Sequence, residues 1–203
     1  MRARDLMTSP VITVQAWTSA KEAAGLLSRH GFTALPVVDD DDRLIGIVTE
    51  ADLIRGWIPA DPRYTHEHHE AAIAARTVGD VMTSPATAMS SGADVADLCQ
   101  ALVDARIRAM PIVDGSAVVG IVTRGDIVRV LAREDIDIAR DVKHRLEIYG
   151  GSGRWRIDVR DGRVHITDQF DDDTDWHVAQ LLALAVPGVV AADTAYAGEE
   201  QTR

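Results

Sequence analysis

The residues best placed to do chemistry are a threonine and an aspartate that occur twice with the same spacing. Gly-Ile-Val-Thr-x-x-Asp places Thr49 with Asp52, and it recurs to place Thr123 with Asp126. At each site a strand is predicted to end and a helix to begin. The threonine then caps the helix, and the aspartate three residues later reaches back to the cap. Spacing alone favours this structural interpretation, because the pattern is common at helix starts.

The same geometry also suits a nucleotide. The first N–H groups of a helix are free to bind phosphate, and they carry a partial positive charge. An aspartate carboxylate accepts hydrogen bonds from a ribose diol. Ile47 and Ile121, two residues before each threonine, can pack against a flat base.

The motif belongs to a longer internal repeat, which indicates a duplicated domain. Asp5–Pro10 recurs as Asp80–Pro85, and Ala34–Asp39 recurs as Ala109–Asp114. The third motif recurs at a spacing one residue shorter, and the missing residue falls in the turn before it. An insertion in a turn, with the apolar pattern kept, is typical of duplicated domains.

Each copy is predicted to fold in the order β-α-β-β-α. In the first copy, Ser19 with Glu22 forms a capping box, and Gly31 stands where the helix should stop. A unit this small is marginal alone, so the two copies should pack face to face and share a core. The predicted extended segments are Val11–Val14, Leu35–Val38 and Leu44–Val48, then Ala86–Met89, Met110–Val113 and Val118–Val122.

Charge and cysteine content narrow the possible functions. The formal net charge of −11 disfavours binding to nucleic acid and to anionic membranes. Cys99 is the one cysteine, so no intramolecular disulfide forms, and its place on an apolar helix stripe favours a packing role over catalysis. No apolar run reaches the length of a membrane span or signal peptide, so we expect a cytoplasmic protein.

Residues 58–76 are predicted to link the two copies, since they contain two prolines and a polar run. This linker contains His66, His68 and His69 beside acidic residues. The cluster could bind a transition metal, or it could be a solvated helix start with incidental histidines. We expect no metal site, because zinc needs four convergent ligands and no cysteine assists.

After the repeat, the sequence predicts a small domain in the order α-β-β-α-β. Asp161-Gly162 is a strong hairpin signal between two alternating strands. The residues from Ala197 onwards are expected to lack order.

The repeated motifs, taken in order, resemble a tandem pair of CBS domains, also called a Bateman module. The resemblance implies a regulatory and non-catalytic protein with clefts that bind adenosine-containing ligands: AMP, ADP or ATP, and in some members S-adenosylmethionine or NAD. It implies no further cofactor. It also implies a homodimer and a protein target that the sequence does not identify. The alternative is a ligand-free CBS scaffold or stress protein that mediates dimerisation and protein contacts.

The resemblance also implies the residues of two clefts, each built from both copies. Asp52 and Asp126 would bind ribose, and Thr49 and Thr123 would contact ribose or phosphate. Arg108 matches a basic phosphate ligand whose counterpart in the first copy is neutral Thr33, so the two sites should differ in affinity for polyphosphate. The remaining implied positions are Thr8, Ile12, Ala34, Thr83, Thr87 and Ala109. Further candidate cations are Lys21, Arg55, Arg106 and Arg124.

The C-terminal segment resembles a BON domain at Val159–Val164 and Val186–Val189. That family is associated with phospholipids, which the acidic surface disfavours here. A protein contact, a second small-ligand site or a packing appendage are the alternatives. The expected class is therefore α+β, with CBS domains at 1–57 and 77–133, a linker at 58–76, a BON-like domain at 134–196 and a disordered tail at 197–203.

Overall fold

The structure, a computed structural model, describes residues 1–55 and 77–200. In this part of the chain, seven α-helices and two short 3₁₀ helices accompany three sheets of three strands each, which is the α+β class that the sequence predicts. The chain divides into two compact units. One is Met7–Arg124, and the other joins Met1–Leu6 to Gly125–Arg203.

Both copies of the repeat follow the predicted order. The first copy contains β1 (Val14–Gln15), α1 (Ala20–His30), β2 (Ala34–Val38), β3 (Leu44–Thr49) and α2 (Glu50–Ile54). The second contains β4 (Met89–Ser90), α3 (Val95–Asp104), β5 (Ala109–Asp114), β6 (Ala117–Thr123) and α4 (Arg124–Leu131). In each sheet the first strand runs parallel to the second, and the third runs antiparallel to it.

The Ser19 cap and the Gly31 stop of α1 are confirmed, whereas the structure gives only the Ser19 half of the predicted capping box. Ser19 caps the helix by accepting a hydrogen bond from the Glu22 N–H at 3.1 Å. Gly31 ends it with a φ of 66°, the left-handed conformation that glycine adopts at low cost. The first strand of each copy is shorter than predicted, because β1 pairs with β2 through Val14 and Gln15 alone.

The two copies bind each other through paired backbone groups. Thr8 and Ile121 exchange N–H···O hydrogen bonds of 2.9 and 3.2 Å. Ile47 and Thr83 do the same at 3.0 and 2.9 Å. The segment after each Asp-x-Met motif is thus hydrogen-bonded to the last strand of the other copy.

Methionine packing explains the glycine of Gly-Ile-Val-Thr. A Cβ on Gly120 would lie 2.5 Å from the Met7 sulfur, and a Cβ on Gly46 would lie 2.7 Å from the Met82 sulfur. Neither distance leaves room for a methyl group. A small buried cluster of Ala34, Ala109 and Ile121 joins the two copies beside these contacts, as expected for a shared core.

The C-terminal segment has the predicted order and one additional helix. Its elements are α5 (Asp135–Gly150), β7 (Trp155–Arg160), β8 (Arg163–Asp168), α6 (Asp173–Leu184), β9 (Ala191–Tyr196) and α7 (Ala197–Glu200). Asp161 and Gly162 both have positive φ, 49° and 71°, as a tight hairpin between β7 and β8 requires. Helix α7 begins at Ala197, and the expected loss of order from that residue onwards stays a prediction.

A buried ion pair fastens this segment. Arg154 donates to both carboxylate oxygens of Asp168 at 2.8 and 2.7 Å, and also to Asp175 at 2.6 Å. Asp168 is fully buried. The Tyr149 hydroxyl donates to Asp175 at 2.7 Å, which raises the pKa of Tyr149 and lowers that of Asp175. The network therefore joins α5, the sheet and α6.

Candidate functional site

A cavity of about 370 Å³ lies within the compact unit Met7–Arg124. Its volume falls at the lower end of the range for small-molecule sites. Eight of the residues that the sequence predicts as ligand-binding line it: Thr33, Ile47, Thr49, Asp52, Thr83, Thr87, Arg108 and Ala109. Four come from each copy, so this wall mixes the copies in the way that the resemblance implies.

Thr33 and Arg108 occupy the same position in the repeat, yet both line this one cavity. Their difference was expected to distinguish two sites. Because strands β2 and β5 meet at the shared cluster, their preceding residues reach the same space. The contrast between a hydroxyl and a guanidinium therefore falls within one cavity and does not by itself separate two.

Asp52 is a helix cap in this structure. Its Oδ2 accepts hydrogen bonds from the Thr49 N–H at 2.9 Å and from the Thr49 hydroxyl at 2.7 Å. Among the described residues, Oδ1 has no hydrogen-bond partner. The structural interpretation is thus correct, but the carboxylate is half-buried in the cavity wall and keeps one acceptor oxygen for a ligand.

Free helix N–H groups contribute less than expected. The Glu50 N–H donates to the Thr33 carbonyl at 3.3 Å, and the Asp52 N–H donates to the Thr49 hydroxyl at 3.3 Å. Helix α2 also has only five residues, so few aligned peptide dipoles add to its field. A phosphate in this cavity would therefore depend mainly on side chains.

The charged wall of the cavity contains residues that sequence reasoning missed. Glu50, Ala51 and Ile107 line it and were not predicted. Of the four further candidate cations, Arg106 lines it. Arg106 has a φ of 54°, an uncommon conformation for a side chain other than glycine, at the turn before β5. Within the described chain, neither Arg106 nor Arg108 forms an ion pair.

One hydroxyl in the cavity wall is unsatisfied. Thr33 Oγ1 is buried and has no hydrogen-bond partner among the described residues. Leaving such a group unpaired costs about 1–3 kcal/mol. A small shift toward a bound polar ligand would relieve that cost.

The six other predicted residues do not line this cavity. Asp126 is 7% exposed and accepts a hydrogen bond from the Arg129 guanidinium at 2.9 Å, so its carboxylate is already paired. Ile12 packs against the core of the first copy, and Ala34 is buried in the shared cluster. The remaining three are Thr8 and Ile121, which pair through their backbones, and Thr123, where β6 ends.

Other chemistry has little support in the described residues. Cys99 is half-buried, and burial raises the pKa of its thiol, whereas an activated nucleophile needs a lowered one. No group of three or more potential metal ligands occurs in residues 1–55 and 77–200. His66, His68 and His69 lie outside this part. The helices that are described are each too short or too polar to cross a bilayer.

Comparison with known families agrees with the repeat. The CBS domain model matches residues 3–57 and 78–133, which together make up more than half of the chain. The chain therefore belongs to the CBS domain family, whose members are regulatory modules that generally lack catalysis. The match ends before the C-terminal segment, so the likeness to a BON domain stays a prediction.

Individual relatives share the CBS pair. Hypoxic response protein 1 of Mycobacterium tuberculosis is 28% identical over 136 residues, which are 66% of this chain and 87% of that protein. The chain spans smaller shares of others: 34% of protein MJ1404 of Methanocaldococcus jannaschii and 56% of chloroplastic CBSX2 of Arabidopsis thaliana.

Two solved structures show ligands on similar pairs. The structure of CBSX2 in complex with AMP has a TM-score of 0.52 and 28% identity, and it covers 63% of this chain and 93% of that one. The CBS pair of protein MJ0100, in complex with 5′-methylthioadenosine and S-adenosylmethionine, has a TM-score of 0.54 and 28% identity, with 64% and 94% covered.

Proposed function

We propose that this chain is a non-enzymatic sensor that binds an adenosine phosphate in the cavity between its two CBS copies. The observation that carries the proposal is the cavity itself, because eight residues chosen from sequence converge on it from both halves. A ligand held by both halves favours one arrangement of them and thereby changes what a partner meets.

Each part of the ligand has a matching part of the wall. Ile47 and Ala109 offer apolar surface to the base. The Oδ1 of Asp52 accepts from a ribose hydroxyl while Oδ2 keeps the helix cap. Arg106 and Arg108 bind phosphate, since each guanidinium offers several donors in a fork that fits phosphate oxygens.

The charges favour a phosphate over a sulfonium. Solved relatives carry either AMP or S-adenosylmethionine. In this cavity two guanidinium groups lack a carboxylate partner within the described chain, and a phosphate supplies one. A sulfonium cation placed beside Arg106 and Arg108 would instead meet two like charges, so the phosphate, and not a sulfonium, belongs at this end of the cavity.

The test is a thermal-shift panel of AMP, ADP, ATP, S-adenosylmethionine and zinc, followed by calorimetry. A nucleotide at 100 times its Kd stabilises the native state by about 2.7 kcal/mol. Zinc is included because a solved relative, 27% identical, holds two coordinated zinc ions. A zinc response that His68→Ala cancels would favour a metal sensor.

The matched variants are Asp52→Asn and Asp80→Asn. Asp80 accepts from the Thr77 N–H at 2.9 Å, so it has the same capping role outside the cavity. We expect Asp52→Asn to abolish the rise in melting temperature that the nucleotide causes, and Asp80→Asn to retain it. A flat response of the wild type to every adenosine ligand at millimolar concentration would favour the ligand-free scaffold instead.

A further inference from the structure

One acidic side chain in the cavity has no role in the capping arrangement. Glu50 lines the wall between Thr49 and Asp52. Its carboxylate has no hydrogen-bond or ion-pair partner among the described residues. An acidic side chain is common in the first turn of a helix and Glu50 is exposed, but an unpaired carboxylate beside a phosphate site also opposes binding of further negative charge.

The repeat makes this residue a point of difference between the copies. The position after the capping threonine is Glu50 in the first copy and Arg124 in the second. Their backbones are equivalent: the Glu50 N–H donates to the Thr33 carbonyl, and the Arg124 N–H donates to the Arg108 carbonyl at 3.0 Å. The Arg124 guanidinium donates to the Leu102 carbonyl at 2.7 Å.

Formal charges on the cavity wall are therefore balanced. Arg106 and Arg108 carry two positive charges, and Glu50 and Asp52 carry two negative charges. A cavity of 370 Å³ is on the order of one Debye length across at physiological salt, so all four charges act on a ligand anywhere inside it. The two guanidiniums match the charge of one phosphate, and each further phosphate adds repulsion from Glu50.

We propose that Glu50 makes this cavity select adenosine monophosphate over adenosine triphosphate, an inference that rests on the proposed function. The small volume acts in the same direction, because a triphosphate must extend toward the exposed side of the wall where Glu50 lies. The charge at this one position then decides which phosphorylation state the sensor reports.

The test is calorimetric titration of the full chain with AMP and with magnesium-free ATP. The variants are Glu50→Gln and, as the control, Glu22→Gln, which removes the same charge from an exposed position on α1. We expect the wild type to bind AMP more tightly than ATP. Glu50→Gln should tighten ATP binding about five- to tenfold and AMP binding about two- to threefold, and high salt should shrink both effects.

The outcomes separate the two proposals. If the wild type binds AMP and Glu50→Gln leaves the ratio of the ATP and AMP Kd values unchanged, the proposed role of Glu50 is wrong. The proposed function as an adenosine phosphate sensor is then still supported. A wild type that prefers ATP also overturns the selection. If the wild type binds no adenosine ligand, the proposed function fails and this inference fails with it. If Glu22→Gln changed the ratio of the two Kd values by the same amount, the effect would come from the net charge of the protein and not from Glu50.

Discussion

At the scale of single residues, the buried charge of Asp168 is the feature on which the C-terminal segment depends most. Asp168 is fully buried, and its balance depends on Arg154, whose guanidinium also lies 4.2 Å from the centre of the Trp155 ring. Such a pair contributes little net stability, but removing Arg154 leaves the buried Asp168 carboxylate without an ion-pair partner among the described residues, whereas Arg154 keeps Asp175 when Asp168 is removed.

We therefore expect Arg154→Ala to reduce the free energy of unfolding by about 3–5 kcal/mol, because it leaves Asp168 buried without its ion-pair partner. Urea unfolding followed by tryptophan fluorescence measures the effect, because Trp155 lies in the same segment. The control is Asp158→Ala, whose partner Arg160 is on the exposed sheet face, and it should cost at most about 0.5 kcal/mol. Equal effects of the two variants would contradict a buried, uncompensated charge.

The Tyr149–Asp175 hydrogen bond predicts a pH dependence at both ends of the scale. Folding raises the pKa of Tyr149 above its ordinary 10.0. The contribution of the protonated hydroxyl to folding stability is therefore present below pH 10 and is lost as the pH rises through the raised pKa. Folding lowers the pKa of Asp175 below 3.8, so its contribution is present above that pH and is lost as the pH falls further.

Titration by phenolate absorbance checks the alkaline end. Tyr149→Phe should remove the component that ionises last, and Asp175→Asn should move that component to lower pH, because the accepting carboxylate is its main cause. An unchanged curve in both variants would show that the hydrogen bond does not persist in solution.

Among the elements, strand β6 shows how tightly the copies are joined. Its Gly120 is covered by Met7, and β3 has the equivalent contact between Gly46 and Met82. Both methionine contacts lie next to the backbone bridges that bring the second copy to the cavity wall. Crowding at this point should thus affect folding and ligand binding together.

Gly120→Ala should destabilise the protein by about 1–3 kcal/mol, since a new methyl group must displace Met7 in a packed site. Gly92→Ala is the control, because nothing lies within 4 Å of the Cβ it would add. Thermal unfolding measures both. The change Met7→Ala made together with Gly120→Ala should restore part of the loss, and no restoration would point to backbone strain instead of crowding.

Much of this arrangement follows from sequence, and the rest does not, for identifiable reasons. The repeat, the Ser19 cap, the Gly31 stop and the Asp161-Gly162 hairpin are local, so their residue types determine them. The contribution of Ile107 to the cavity depends on how two distant strands meet, which no local pattern specifies. The sequence does contain a signal for Glu50, because a comparison of the two Thr-x-x-Asp motifs shows glutamate in the first copy where the second has Arg124.

For the whole molecule, the sequence predicts a homodimer formed through the CBS copies. Ile54 on α2 and Val128 on α4 occupy equivalent positions in the repeat, and both are exposed, at 64% and 61%. We take these two exposed apolar side chains, one from each copy, as the candidates for that interface. Light scattering should therefore report twice the mass of one chain.

The variants Ile54→Asp and Val128→Asp should each shift the population toward the monomer without loss of helical signal in circular dichroism. A matched charge at Thr174→Asp, an exposed position on α6, should leave the mass unchanged. A wild-type protein that scatters as a monomer at high concentration would contradict the prediction directly.

The compact units also set an order of events during synthesis. Met7–Arg124 is continuous, whereas the other unit draws its first six residues from one end of the chain and the remainder from position 125 onwards. A ribosome delivers those six residues before the unit Met7–Arg124 and must translate that whole unit before their partners exist. The cavity that we propose for a nucleotide is then complete while β9 is still unmade, so we expect a nascent chain to bind that ligand before release.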